Sequence, residues 1–183
     1  MSEKHKLVEA RQVDDRLLKI LGTTFSLAMI ALTVLCTSTL AQENNSAYTW
    51  LDKGNALAEK GDYEGAIKAF NMATELSPQD KHVWMTKGLL LAAHLSRYNE
   101  SVEAYERALQ IDPNDADAWF GKGAGLNKTG KYEEALQSLN RSIELDPKKV
   151  EAWKVKGDVL KALGHSADAE VAYAKARELG YEG

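Results

Sequence analysis

Side chains suited to metal binding or nucleophilic chemistry are few in this sequence of 183 residues. His82, His94 and His165 stand far apart, with no second histidine or carboxylate at a metal-binding spacing, so no metal site is expected. Cys36 is the sole cysteine, which excludes a disulfide framework and a thiolate zinc site within one chain. Gly121, Gly123 and Gly125 imitate a short phosphate-loop motif, but they follow Trp119 inside a helical pattern rather than a strand. No nucleophile elbow and no Ser/His/Asp arrangement occurs. The acidic residues fall on charged helix faces and around turns, as in Asp112-Pro113-Asn114-Asp115, where they most simply cap helices. The sequence therefore predicts no catalytic residue, no metal and no cofactor, and does not read as an enzyme.

Charge narrows the partners. There are 23 Lys and Arg against 27 Asp and Glu, a net charge of −4. Beyond residue 41 the balance is 18 basic to 23 acidic with no basic block, so nucleic acid is not an expected partner.

The elements that position everything else come from a period. The four tryptophans, Trp50, Trp84, Trp119 and Trp153, are spaced by 34, 35 and 34 residues. Pro78, Pro113 and Pro147 are spaced by 35 and 34. Four residues after each Trp comes a glycine (Gly54, Gly88, Gly123, Gly157), and seven after it a leucine (Leu57, Leu91, Leu126, Leu160). Within the first unit, Trp50, Gly54, Leu57 and Ala58 make the stripe of one helix, broken at Gly61-Asp62. Ala66, Ile67, Phe70, Ala73 and Leu76 make the stripe of a second, which Ser77-Pro78 stops. The extra residue of the second unit is expected in the turn around Ser96-Arg97, where an insertion costs least.

Trp, Gly, Leu, Gly, Tyr, Ala, aromatic, Ala and Pro in this order resemble the tetratricopeptide repeat (TPR), over residues 47–181. The resemblance implies an all-α fold: a right-handed α-solenoid of four helix-turn-helix units (47–80, 81–115, 116–149, 150–181), eight helices in all, after an N-terminal hydrophobic helix. The Ala/Val-Trp and Lys-Gly pairs resemble TPR proteins of methanogenic archaea. The glycine after each Trp suggests a close approach of two helix backbones, with small alanines of the next helix opposite. Lys53, Lys87, Lys122 and Lys156 stand three after each Trp, where the family carries leucine. They read either as solvated lysines with apolar stems or as a ladder of positive charge that meets an acidic partner. The family adds a helix that caps the last unit. This chain ends at Gly183, two residues after the fourth unit, so end-to-end self-association is the second expectation.

The resemblance also places the binding surface on the concave side, lined by first helices, where the family holds peptides or partner helices. Positions two before and one, five and eight after each Trp share one helix face. They are Tyr48, Leu51, Asn55 and Ala58; His82, Met85, Leu89 and Ala92; Asp117, Phe120, Ala124 and Asn127; and Glu151, Lys154, Asp158 and Lys161. The family's carboxylate clamp needs Lys, Arg and Asn on this face. Only Asn55 matches, with Leu51, Asp117 and Gly121 at the basic positions, so that clamp is rejected. What remains is an apolar strip of Leu51, Met85, Leu89 and Phe120 edged by Tyr48, with Asn55 and Asn127 able to bond a guest backbone. Such a strip either accepts an amphipathic helix or apolar peptide, or only packs against its neighbours. The expected partner is thus a protein or peptide, with a homo-oligomer as the alternative.

Ahead of the repeats, a charged segment at 1–19 precedes an uncharged run at 20–41 and a short polar linker at 42–46. Arg16 and Lys19 before the run, its apolar centre at 27–35, and Thr39 and Ala41 two apart fit a secretory signal peptide cleaved after Ala41. The run is also long enough to remain as a membrane anchor, and a buried core helix is a third reading. The first two place the repeats outside the cytoplasmic membrane, secreted or anchored. Four Asn-x-Ser/Thr sequons, at Asn44, Asn99, Asn127 and Asn140, would be glycan acceptors in an exported protein.

Overall fold

The computed structural model describes residues 46–182. The segments at 1–19 and 20–41, with the signal or anchor reading placed on them, lie outside the described residues, as does Asn44. Among the described residues, no helix is long and apolar enough to cross a membrane.

The described residues form eight α-helices and no strand. The pairs are α1 (Ala47–Glu59) with α2 (Tyr63–Leu76), α3 (Lys81–Leu95) with α4 (Tyr98–Ile111), α5 (Ala116–Lys128) with α6 (Tyr132–Leu145), and α7 (Val150–Ala162) with α8 (Ser166–Glu178). Each second helix also packs on the next first helix, and α5 touches both α3 and α7, so the pairs stack as an all-α solenoid. Side-chain oxygens start four helices: Ser46 accepts from the Thr49 amide, Asp62 from Gly65, Asp80 from His82 and Asp115 from Ala118. Phe70, Val83, Leu91, Leu126, Leu139 and Val159 are fully buried between the helices.

The shared spacing of Trp and Pro has a direct cause. The indole N–H of Trp84 donates to the Pro78 carbonyl at 3.0 Å, Trp119 to Pro113 at 2.8 Å and Trp153 to Pro147 at 2.9 Å. Each bond ties a first helix to the turn before it, at about 1 kcal/mol net. The lysine three residues on covers the same ring. The Nζ-to-centroid distances are 4.4 Å for Lys53, 5.3 Å for Lys87, 5.6 Å for Lys122 and 5.2 Å for Lys156. The lysines thus replace the family's leucine as a lid on the indole, a cation–π contact of about 0.5–1 kcal/mol. Burial pushes the Lys87 and Lys156 ammonium groups below their ordinary value.

Two expectations change in detail. The space over each recurring glycine is taken by a large side chain of the paired helix, not by alanines. A Cβ on Gly54 would stand 2.3 Å from the Phe70 ring, and one on Gly157 2.4 Å from Tyr173. At Gly123 it would stand 2.8 Å from Leu139, and at Gly88 3.1 Å from Tyr105. The large side chain, a ring in three units and Leu139 in the third, fills the groove between the helices better than alanine does, and the missing Cβ makes room for it. The extra residue of the second unit lies in the helix rather than the turn. Helix α3 runs to 15 residues where its counterparts have 13, and its turn is one residue shorter. That turn needs a left-handed residue, and Ser96 supplies it at φ 53° where the other units use Gly61, Gly130 and Gly164.

Candidate functional site

The predicted groove residues divide into three groups. Leu51 and Ala58 pack on the core around Ile67, Phe70 and Leu91, leaving Tyr48 and Asn55 exposed beside them. In the fourth unit Lys154 pairs with Asp158 at 2.6 Å, and the Tyr173 hydroxyl donates to Asp158 at 2.9 Å. This pair satisfies itself, while Glu151 and Lys161 are exposed. The third group meets in one place. A cavity of about 440 Å³ is lined by His82, Met85, Leu89, Asp117, Phe120 and Glu151, together with Thr86, Tyr105 and Lys149. Ala92, Ala124 and Asn127 are half-buried and do not line it. Tyr48 and His82 share a second, shallower depression with residues 77–81 and Ile111.

The cavity walls are apolar. Met85 rests on the cluster of Tyr105, Ala108, Leu109 and Ala118, and Phe120 on that of Leu126, Leu139 and Val159. Leu89 rests on neither and is 61% exposed. That exposure, large for a leucine, is the apolar feature most available to a guest.

The spacing argument missed three of the cavity's polar residues. Tyr105 comes from the second helix α4, outside the first-helix face. Its ring passes between α3 and α5, where a Cβ on Gly121 would lie 2.3 Å from Cζ. The available signal was Gly121 itself, which stands where the other units carry Asp52, Thr86 and Val155. Burial, and after it the Asp117 charge, pushes the Tyr105 phenol up to about 12. Lys149 occupies the helix-start position where Ser46, Asp80 and Asp115 cap their helices. A lysine cannot accept there, and it reaches back instead to Asp117 at 2.5 Å and lies 5.2 Å over the Phe120 ring. Thr86 donates to the His82 carbonyl at 2.8 Å, so its hydroxyl proton is used within the helix.

A model of the tetratricopeptide repeat matches residues 30–81, 51–116, 88–150 and 126–182. The chain belongs to the tetratricopeptide repeat family. No curated protein matches it. Solved TPR-like structures are similar in fold. A crystal structure of MamA has 20% identity and a TM-score of 0.70, covering 78% of this chain and 83% of that one. MamA from Desulfovibrio magneticus RS-1, residue 41 to its end, has 23% identity and a TM-score of 0.70, covering 75% and 77%. The first TPR of Spaghetti (RPAP3), bound to the HSP90 peptide SRMEEVD, has 21% identity and a TM-score of 0.62, covering 66% and 95%. In this TPR chain the cavity lies on the face of the first helices α3, α5 and α7, with Tyr105 of α4 as its floor.

Proposed function

We propose that this TPR chain is a noncatalytic interaction module that holds a helix or peptide of a partner protein in its concave groove. The observation that carries the reading is the exposed Leu89 between half-buried Met85 and Phe120, at the mouth of a cavity of peptide side-chain size. The peptide-bound TPR among its structural neighbours supports the mode of binding. It does not supply the peptide, because Leu51, Asp117 and Gly121 occupy positions where a carboxylate clamp needs bases. Leu89→Glu with Phe120→Glu should abolish capture of partners by the immobilised protein while the helical signal is kept. Unchanged capture by the double variant refutes the reading.

The proposal places the module outside the cytoplasmic membrane, on the strength of the uncharged run at 20–41 and the basic residues before it. Intact mass with fractionation of the protein from its own host tests this. Full-length protein in the cytosol would end it. A second reading, assembly of like subunits, is favoured by one observation. Val171, 68% exposed on α8, borders a cavity with Leu136, Trp153 and Leu160. The positions matching Val171 in the earlier units hold Lys68, Glu103 and Gln137. Concentration-dependent sedimentation that Val171→Glu abolishes would favour that reading over the first.

A further inference from the structure

We infer that the cavity between α3, α5 and α7 selects a guest segment by one basic side chain, an arginine or lysine flanked by apolar residues. The inference rests on the groove reading above and adds the chemistry of the occupant.

Three charges border the cavity, and they are unequal in reach. Apart from the imidazole of His82, Lys149 is the one basic side chain among the described residues that line the cavity, and it is used up. Its side chain is 16% exposed, held between the Asp117 carboxylate and the face of Phe120. Asp117 keeps most of its own surface open, at 68%. Glu151 is exposed and makes no ion pair among the described residues. An incoming group therefore meets two accessible carboxylates and a screened ammonium, a net negative mouth. An anionic guest would be repelled by Glu151, and freeing Lys149 for it would strip Asp117 of its partner.

The floor supplies an independent indication. Tyr105 is 6% exposed and lines the cavity; its hydroxyl has no protein partner among the described residues and is the part that solvent reaches. Its counterpart in the last helix pair, Tyr173, is satisfied by Asp158. The residue matching Asp158 in the second unit is Leu89, so no carboxylate meets the Tyr105 hydroxyl from within its own helix pair. A phenol oxygen retains two acceptor lone pairs, which suit the N–H groups of a guanidinium or ammonium. Met85 and Phe120 cover the aliphatic stem of such a side chain. Leu89 at the rim takes the neighbouring apolar residue of the guest. An unpaired phenol beneath two open carboxylates, walled by thioether and aromatic surface, matches a long basic side chain better than a purely apolar one.

The test is selection of a displayed library of random 16-residue peptides on the whole protein, followed by titration of the best peptide. The expected result is a single recurring Arg or Lys flanked by Leu, Met or Phe. Replacing that residue by Gln in the synthetic peptide should weaken binding by about 10-fold or more, the range of a charged hydrogen bond. Tyr105→Phe keeps the ring between its glycines, and Glu151→Gln is a surface change. Selection on the variant carrying both should lose the basic preference while apolar peptides still bind. Glu75→Gln, an exposed carboxylate that does not line the cavity, should change nothing. Peptides without a basic residue, or an equal loss in Glu75→Gln, overturn the inference and leave the groove reading standing. No selected peptide at all, or binding unaffected by Leu89→Glu, overturns the groove reading as well.

Discussion

Gly54→Ala isolates the device that lets each helix pair close. In an open helix the change should stabilise, because glycine costs about 1 kcal/mol relative to alanine. Here the new methyl would stand 2.3 and 2.5 Å from two carbons of the Phe70 ring. Phe70 is 1% exposed and has nowhere to turn, so the ring or a helix must shift. Overpacking of this kind costs about 1–3 kcal/mol, and the contacts lie at its severe end. The net expectation is a loss of about 1–2 kcal/mol. The measurement is urea unfolding followed by helical circular dichroism and by tryptophan fluorescence, with coincident transitions as the test of cooperativity. Ala56→Gly, at an exposed position of the same helix, supplies the local propensity value and should cost about 1 kcal/mol. Phe70→Leu should relieve Gly54→Ala only in part, since in the third unit a Cβ on Gly123 would still stand 2.8 Å from Leu139. The two changes together should cost at least about 1 kcal/mol less than their sum. A Gly54→Ala protein more stable than the parent would refute the reasoning, for the propensity gain would then be realised against empty space.

Lys81 bonds Asp112 at 2.5 Å and Asp115 at 2.7 Å, and both carboxyls are held below their ordinary value of 3.8. For Asp112 the Lys81 bond leads; for Asp115 burial pulls the other way and is outweighed by Lys81 and the Ala118 amide. Depressed carboxyls stabilise the fold above 3.8 and lose that effect as the pH falls through their folded values. Lys81→Met should thus lower the melting temperature at pH 7, and the gap to the parent should narrow below pH 3.8. A gap independent of pH would refute the staple. Ser96→Gly should stabilise by about 0.5–1 kcal/mol in urea, because the left-handed turn strains serine more than glycine. Of the seven tyrosines, Tyr105 and Tyr173 should ionise near pH 12 in an absorbance titration at about 295 nm, and Tyr105→Phe should remove one late step.

The period made the architecture legible because stacking reuses the same contacts in every unit. Trp84, Trp119 and Trp153 recur with their prolines since each indole closes on a proline carbonyl, and the glycines recur since each admits a side chain. The helix-face argument brought His82, Met85, Leu89, Asp117 and Phe120 to one cavity. It failed for Tyr105, whose backbone belongs to the other helix layer and whose ring crosses to the groove through Gly121. It failed for Lys149 because a lysine at a helix start carries no cap signal, and its partner Asp117 is distant in sequence. The turn expected to hold the second unit's extra residue stayed short, since lengthening α3 adds hydrogen-bonded residues where a longer loop would not.

A residue type that returns in every unit serves the stack, so departures from the period are where a particular ligand chemistry has to be sought. Three positions at which the units differ converge on one cavity. Leu89 stands where the other units hold Asn55, Ala124 and Asp158, Gly121 where they hold Asp52, Thr86 and Val155, and Lys149 where they hold Ser46, Asp80 and Asp115. Each has a local consequence that the stack does not need. Leu89 leaves the Tyr105 phenol without the carboxylate that Tyr173 enjoys, Gly121 admits the ring, and Lys149 fixes Asp117 at the rim. Stability alone gives no reason for the three to meet, because the first and fourth units close without them. On the proposed reading, recognition of one side chain at the middle of the groove gives such a reason, and the lining from Leu89 to Glu151 puts specificity at the second to fourth units rather than along the whole concave face.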